Sequence, residues 1–121
     1  MNLRDWVGRC ETVCDVVTAT PYAALSATFD RPAQRPDDGT PLPALWHWLY
    51  FLPMPRRSEI GPDGHANKGG FLPPVPLPRR MWAGSQFSFH QTLCVGDRLQ
   101  RTSTIADVTE KTGRTGMLVF V

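Results

Sequence analysis

Three rhythms of apolar and polar residues run along this chain, and each predicts a different kind of element. Tyr22, Leu25 and Phe29 recur at spacings of three and four, the period of a helix with one apolar face. Thr20-Pro21 supplies an N-cap and a first helical residue whose missing N–H costs nothing there, so the helix is expected from Thr20 through Phe29. Ser26 borders its apolar stripe and narrows it. A shorter helix is expected over Leu3–Gly8, with Asp5 near its positive end. Leu42–Leu52 is apolar on every side, which predicts a helix buried all round. Pro41 and Pro43 are tolerable in its first turn, and Pro53 stops it.

From Ala83 the period falls to two. Phe87, Phe89 and Gln91 alternate with Gln86, Ser88 and His90, which predicts a half-exposed strand. Gly96-Asp97 reads as a turn. Arg98–Thr109, rich in Thr, Ile and Val, reads as a long strand. Lys111–Gly116 reads as another turn, and the unbroken apolar run Met117–Val121 has the character of a central strand. A domain rarely ends inside its most buried strand, so the chain is expected to be a fragment or the first half of a longer protein, cut short at its C-terminal end.

Composition sharpens this picture in three places. At 121 residues the chain is expected to form a single domain. Its 12 prolines are about twice the usual share and fall mostly between Pro32 and Pro78. The middle is therefore expected to be loop, above all Arg31–Thr40 and the long span Met54–Arg80, a length of irregular chain that usually serves function. Within that span Gly61-Pro62-Asp63-Gly64 is a turn and Lys68-Gly69-Gly70 a joint.

The formal net charge is +2, and only Arg56-Arg57 and Arg79-Arg80 cluster, which argues against nucleic acid as a partner. Cys10, Cys14 and Cys94 have no zinc-finger or CxxC spacing, and Cys10 and Cys14 could share a helix face. Reduced thiols in a cytoplasm, with no metal site, are the simplest expectation. No apolar run approaches the ~20 residues that span a bilayer, so no membrane role is expected.

Candidate chemistry in the residues themselves is thin. There is no GxSxG elbow, no Cys/His signature and no phosphate-binding loop. Asp37 and Asp38 sit together in a loop, where solvation explains them. His47 is expected in the core, His65 in an exposed loop, and His90 on the polar face of a strand. Pro73 and Pro76 form a PxxP pair, but Pro78 stands where a basic residue would strengthen it and Arg79 comes one residue late. Phe71, Leu72, Val75 and Leu77 are interleaved with the prolines, so a loop laid on the core is the better reading.

Three stretches carry a family resemblance. They are Pro43–Phe51; the run Gly-Gly-Phe-Leu-Pro-Pro-Val-Pro-Leu-Pro-Arg-Arg-Met-Trp-Ala-Gly; and the tail from Val95-Gly96-Asp97 through Thr102–Ile105, Lys111-Thr112-Gly113 and Leu118–Val121. Together they resemble the N-terminal half of mesaconyl-C4-CoA (3-methylfumaryl-CoA) hydratases and related MaoC-like acyl dehydratases. The resemblance implies an α+β hot-dog fold, an antiparallel sheet wrapped around a central helix, and one half of a double hot dog. It implies reversible hydration of an enoyl-CoA, with CoA carried by the substrate and no other cofactor.

The family's working half carries Gly-Asp-x-Asn-Pro-x-His, in which Asp and His activate water. The nearest segment here is Asp38-Gly39-Thr40-Pro41-Leu42-Pro43, with Thr40 in place of Asn and Pro43 in place of His. No catalytic residue is therefore expected in this chain. The resemblance assigns it substrate binding, with Trp46, Phe51, Phe71 and Trp82 as apolar walls and Arg79 or Arg80 for a carboxylate or phosphate. The expected partners are an acyl-CoA, a second hot-dog domain or subunit bearing the motif, and further copies of the chain. The alternative is a self-standing, non-catalytic hot-dog subunit that binds acyl thioesters or scaffolds a catalytic partner.

Overall fold

A computed structural model describes residues 2–32 and 35–121. A 3-10 turn at Leu3–Trp6 precedes strand β1 (Cys10–Val16) and helix α1 (Ala19–Thr28). Further 3-10 turns follow at Trp46–Leu49 and Arg57–Glu59, and the chain ends in strands β2 (Arg98–Thr104), β3 (Thr109–Gly113) and β4 (Gly116–Phe120). β1 pairs with β2, and β3 with β4. The α+β class with antiparallel strands is the one expected. No helix is long and apolar enough to cross a membrane among the described residues.

The residues gather into two compact units. One takes the chain up to Thr12 together with Met54–Ala83 and Thr102–Val121; the other takes Val13–Pro53 and Gly84–Arg101.

The second of these units holds the main core: Val17, Leu42, Trp46, Tyr50 and Val95, with Tyr22, Leu25, Leu49, Leu93 and Leu99 packed against it. Helix α1 starts at Ala19 after an extended Thr18, slightly earlier than expected. Pro21 falls within its first turn, where the backbone donors have no helical partner and a missing N–H is harmless. Tyr22 and Leu25 reach the core as the stripe implied, and the small Ser26 is the residue of α1 that is fully buried. Phe29 remains 60% exposed.

The largest correction concerns Leu42–Leu52, which is not a helix buried all round. Its first residues run antiparallel to 93–95: the Leu42 N–H donates to the Leu93 carbonyl (2.7 Å) and the Val95 N–H to the Thr40 carbonyl (2.9 Å). Pro41 and Pro43 have no N–H, and the groups beside them are already spent in these bonds. Only the short 3-10 turn Trp46–Leu49 remains. Leu42, Trp46 and Tyr50 point inward, whereas Trp48 is 56% and Leu52 63% exposed.

Gln86–Gln91 is a second correction. Phe87 and Phe89 share a face with rings stacked 6.1 Å apart, but among the described residues no strand forms here or pairs with it. Alternation fixes the sides that side chains take; a ladder also needs a neighbour. The Gly96-Asp97 turn forms as read, with Gly96 at φ 97° and the Asp97 carboxylate accepting the Cys94 N–H at 2.9 Å.

In the other unit, β3 and β4 form an antiparallel hairpin in which Thr109 faces Phe120 and Gly113 faces Gly116. The expected single strand Arg98–Thr109 is therefore two strands, interrupted where Ile105 and Val108 turn inward and become buried. The expected turn at Lys111–Gly116 shrinks to the tip of the hairpin. Met117–Val121 is not central: among the described residues β4 pairs with β3 alone, and Leu118 is 57% exposed.

The expected helix at Leu3–Gly8 is a single 3-10 turn capped by the Asn2 carboxamide. Cys10 and Cys14 lie on β1, not on a helix. Residues 54–80 are irregular as expected apart from the 3-10 turn Arg57–Glu59, and the Gly61–Gly64 turn closes with the Gly64 N–H on the Gly61 carbonyl at 3.0 Å.

Candidate functional site

Each unit has its own concavity. In the unit built from Val13–Pro53 and Gly84–Arg101, a groove of about 520 Å³ lies between Leu42–Leu45, His47 and the segment Phe87–Leu93. Its walls mix apolar side chains with His47, Ser88 and His90. The His47 ring sits 6.4 Å from Phe87, and Trp48 packs edge-on to the same ring at 5.5 Å.

The turn carrying His47 is bracketed by two residues other than glycine at positive φ, Leu45 at 71° and Phe51 at 57°. Such conformations cost roughly 1–2 kcal/mol each and need outside support. Asp15 supports Phe51: its carboxylate accepts the Phe51 N–H at 2.7 Å and the Val16 N–H at 2.7 Å. Those two backbone donors, Phe51 first, hold the Asp15 carboxyl below the ordinary carboxylate range. The Tyr50 hydroxyl donates to the Thr18 carbonyl at 2.6 Å, and burial, then the Asp15 charge, push its pKa up.

The motif-like segment Asp38–Pro43 borders this groove. Its backbone is committed to 93–96: the Gly39 N–H donates to the Val95 carbonyl at 2.8 Å. The Asp38 side chain lies against Gly96, where an added Cβ would meet Asp38 Cγ at 3.1 Å. Pro43 lines the groove.

In the other unit a cavity of about 210 Å³ is lined by Lys68, Arg79 and Arg80 together with Leu72, Pro73 and Val119. The Lys68 ammonium donates to the Val75 carbonyl at 2.9 Å and to the Leu77 carbonyl. Arg80 Nη2 donates to the Ala66 carbonyl at 3.0 Å. Its Nε lies 3.1 Å from Asp63 Oδ2, near enough for an ion pair but poorly aligned, so this buried nitrogen has no hydrogen-bond partner among the described residues. The His65 N–H, followed by the Arg80 and His65 charges, lowers the Asp63 pKa.

The residues expected to bind substrate divide between the units. Trp46 and Phe51 lie in the first. Trp46 is a core side chain, 5.1 Å from the Tyr22 ring with the Arg31 guanidinium 4.9 Å over its face. Phe51 is half-buried beneath the Arg101 guanidinium at 5.4 Å. Phe71, Arg79, Arg80 and Trp82 lie in the second unit. Phe71 borders a groove with Thr104, Ile105 and Phe120; Arg79 and Arg80 line the cavity; Trp82 is 75% exposed.

Sequence reasoning passed over Asp15 and Lys68, which fix the two site-bearing loops. A lysine set just before a donor-poor proline run was the available signal for Lys68. Among the described residues, no three His, Cys, Asp or Glu side chains gather as metal ligands would.

Comparison with known proteins gives these features a context. Residues 45–121 match the profile of hydroxyacyl-thioester dehydratase type 2. The chain is also 45% identical, over 116 residues and 96% of its length, to mesaconyl-C(4)-CoA hydratase of Chloroflexus aurantiacus. It spans 41% of that relative's length. The chain belongs to the hydroxyacyl-thioester dehydratase type 2 family, and with it to the hot-dog fold that the sequence resemblance implied.

Proposed function

We propose that this member of the hydroxyacyl-thioester dehydratase type 2 family is the substrate-binding, structural half of an acyl-CoA hydratase/dehydratase. The reaction is the reversible addition of water to an enoyl-CoA such as mesaconyl-CoA. The catalytic Asp and His come from a second hot-dog domain or subunit. Hydration is redox-neutral, so the reading calls for no cofactor beyond the CoA that the substrate carries.

One observation carries this division of labour. In sequence, the segment nearest to the hydratase motif has Pro43, which has no proton to exchange, in the position of the motif's general base, and Pro43 lines the groove. Its neighbours Gly39, Thr40 and Leu42 are bonded into the backbone of 93–95, so the segment works as a wall. Trp46 and Phe51 stiffen that wall from behind. Phe71, Arg79, Arg80 and Trp82 offer apolar and cationic surface to the acyl thioester. The open sides of β4 and of Gln86–Gln91 are where a second hot-dog unit, or another copy of this chain, would pair.

Activity assays test the proposal directly. The isolated chain is expected to leave mesaconyl-CoA and crotonyl-CoA unhydrated, and adding a motif-bearing hot-dog domain is expected to restore turnover. Hydration by the chain alone, at rates near those of an intact homologue, would overturn the assignment.

A further inference from the structure

The small cavity of the unit containing Met54–Ala83 distinguishes between three cations. Its apolar wall is Leu72, Pro73, Val75, Val119 and Val121, and its volume of about 210 Å³ suits a short acyl group better than a drug-sized molecule. Lys68 is spent on the Val75 and Leu77 carbonyls. Arg80 is spent on the Ala66 carbonyl and the Asp63 carboxylate. Arg79 lines the same cavity, is exposed, and has no hydrogen-bond or ion-pair partner among the described residues.

A guanidinium without a counter-ion at the rim of an apolar cavity suits a ligand with a short hydrocarbon body and an anionic end. The planar fork of arginine matches a carboxylate with two parallel N–H···O bonds.

We infer that Arg79 is a specificity-determining residue that receives the free carboxylate of a short dicarboxylic acyl thioester, whose methylene carbons lie against Leu72, Pro73 and Val119. This rests on the acyl-thioester reading above. The preference for a carboxylate over a CoA phosphate follows from the walls: a nucleotide phosphate sits on a bulky polar body, which a small apolar cavity does not accommodate.

Titration calorimetry of the chain with succinyl-CoA and butyryl-CoA tests the inference, because these acyl groups have equal chain length and differ in a terminal carboxylate against a methyl. Succinyl-CoA is expected to bind about tenfold more tightly, the scale of one charge-assisted contact. Arg79→Gln is expected to abolish that preference by lowering succinyl-CoA affinity to that of butyryl-CoA, with a circular dichroism spectrum and melting temperature matching the unaltered chain to show that the variant is folded. Equal binding of the two thioesters by the unaltered chain overturns the role of Arg79 and leaves the acyl-thioester reading standing. Equal weakening of both by Arg79→Gln assigns the residue to a CoA phosphate and overturns the carboxylate. Binding of neither overturns both readings.

Discussion

Leu42–Phe51 and Phe71–Arg80 are both apolar, both interrupted by proline and both irregular, yet they are held by opposite means. In the first, the backbone is matched to a neighbouring segment: the Leu42 N–H donates to the Leu93 carbonyl, and just ahead of it the Thr40 carbonyl accepts the Val95 N–H. That leaves a short 3-10 turn between Leu45 and Phe51, two strained residues, with Asp15 bonded to the Phe51 N–H. In the second, Pro73, Pro74, Pro76 and Pro78 strip the chain of donors, and a single ammonium, that of Lys68, ties down the Val75 and Leu77 carbonyls. A proline-rich apolar segment can thus be ordered by borrowing a neighbour's backbone or by one long cationic side chain. The first route makes a wall that is part of a core. The second makes a loop whose proline run is tied by one ammonium, with Arg80 anchoring its end to the Ala66 carbonyl.

Replacing the anchor of each segment should separate the two routes. The largest effect is expected from Trp46→Ala, because Trp46 is only 9% exposed at the centre of the main core. Truncating such a side chain costs about 3–5 kcal/mol, read from denaturant unfolding. A loss under about 1 kcal/mol would mean that the first segment does not depend on its core anchor.

Lys68→Met should cost less, about 1–3 kcal/mol for carbonyls left without a donor. Its signature is local: protease cleavage between Gly70 and Arg80 becomes fast, while the Trp46 environment keeps its fluorescence. Unchanged cleavage would show that apolar contact alone holds the proline loop.

The smallest effect is expected from Asp15→Asn, and it depends on pH. The folded-state pKa of Asp15 is depressed, so its contribution is complete above the ordinary carboxylate pKa of about 4 and is lost as pH falls through the lower folded value. The variant should therefore melt below the unaltered chain at pH 7 and together with it near pH 2. A gap in melting temperature that persists in acid would show that charge is not what supports Phe51.

The legible parts of this fold are those where a local rule meets no rival. Pro21 with the Tyr22/Leu25 spacing marks α1, and Gly61–Gly64 and Gly96-Asp97 form turns as their residues require. Leu42–Leu52 misleads because its apolar content reports burial and not conformation, while the bonds that unwind it come from residues some fifty positions later. Strand β1 escapes notice because its inward side carries Glu11 and Asp15 beside Val13, which blurs the apolar alternation.

The site is less legible than the fold. Trp46, Phe51, Phe71, Arg79, Arg80 and Trp82 could be singled out by type, but which cation is spent and which is available depends on Asp63, Ala66 and the loop carbonyls. No sequence pattern places those acceptors.

The stretch Met81–Gly96 contains no Asp, Glu, Lys or Arg, and this has a colloidal consequence. Its stacked Phe87 and Phe89 rings and the unladdered backbone of Gln86–Gln91 have neither a like-charge barrier nor a proline to keep another chain away. Ionic strength has little to screen along this stretch, whereas contacts made through Arg79 weaken as salt rises. The two surfaces of the molecule therefore answer to different solvents, one to chaotropes and the other to electrolytes.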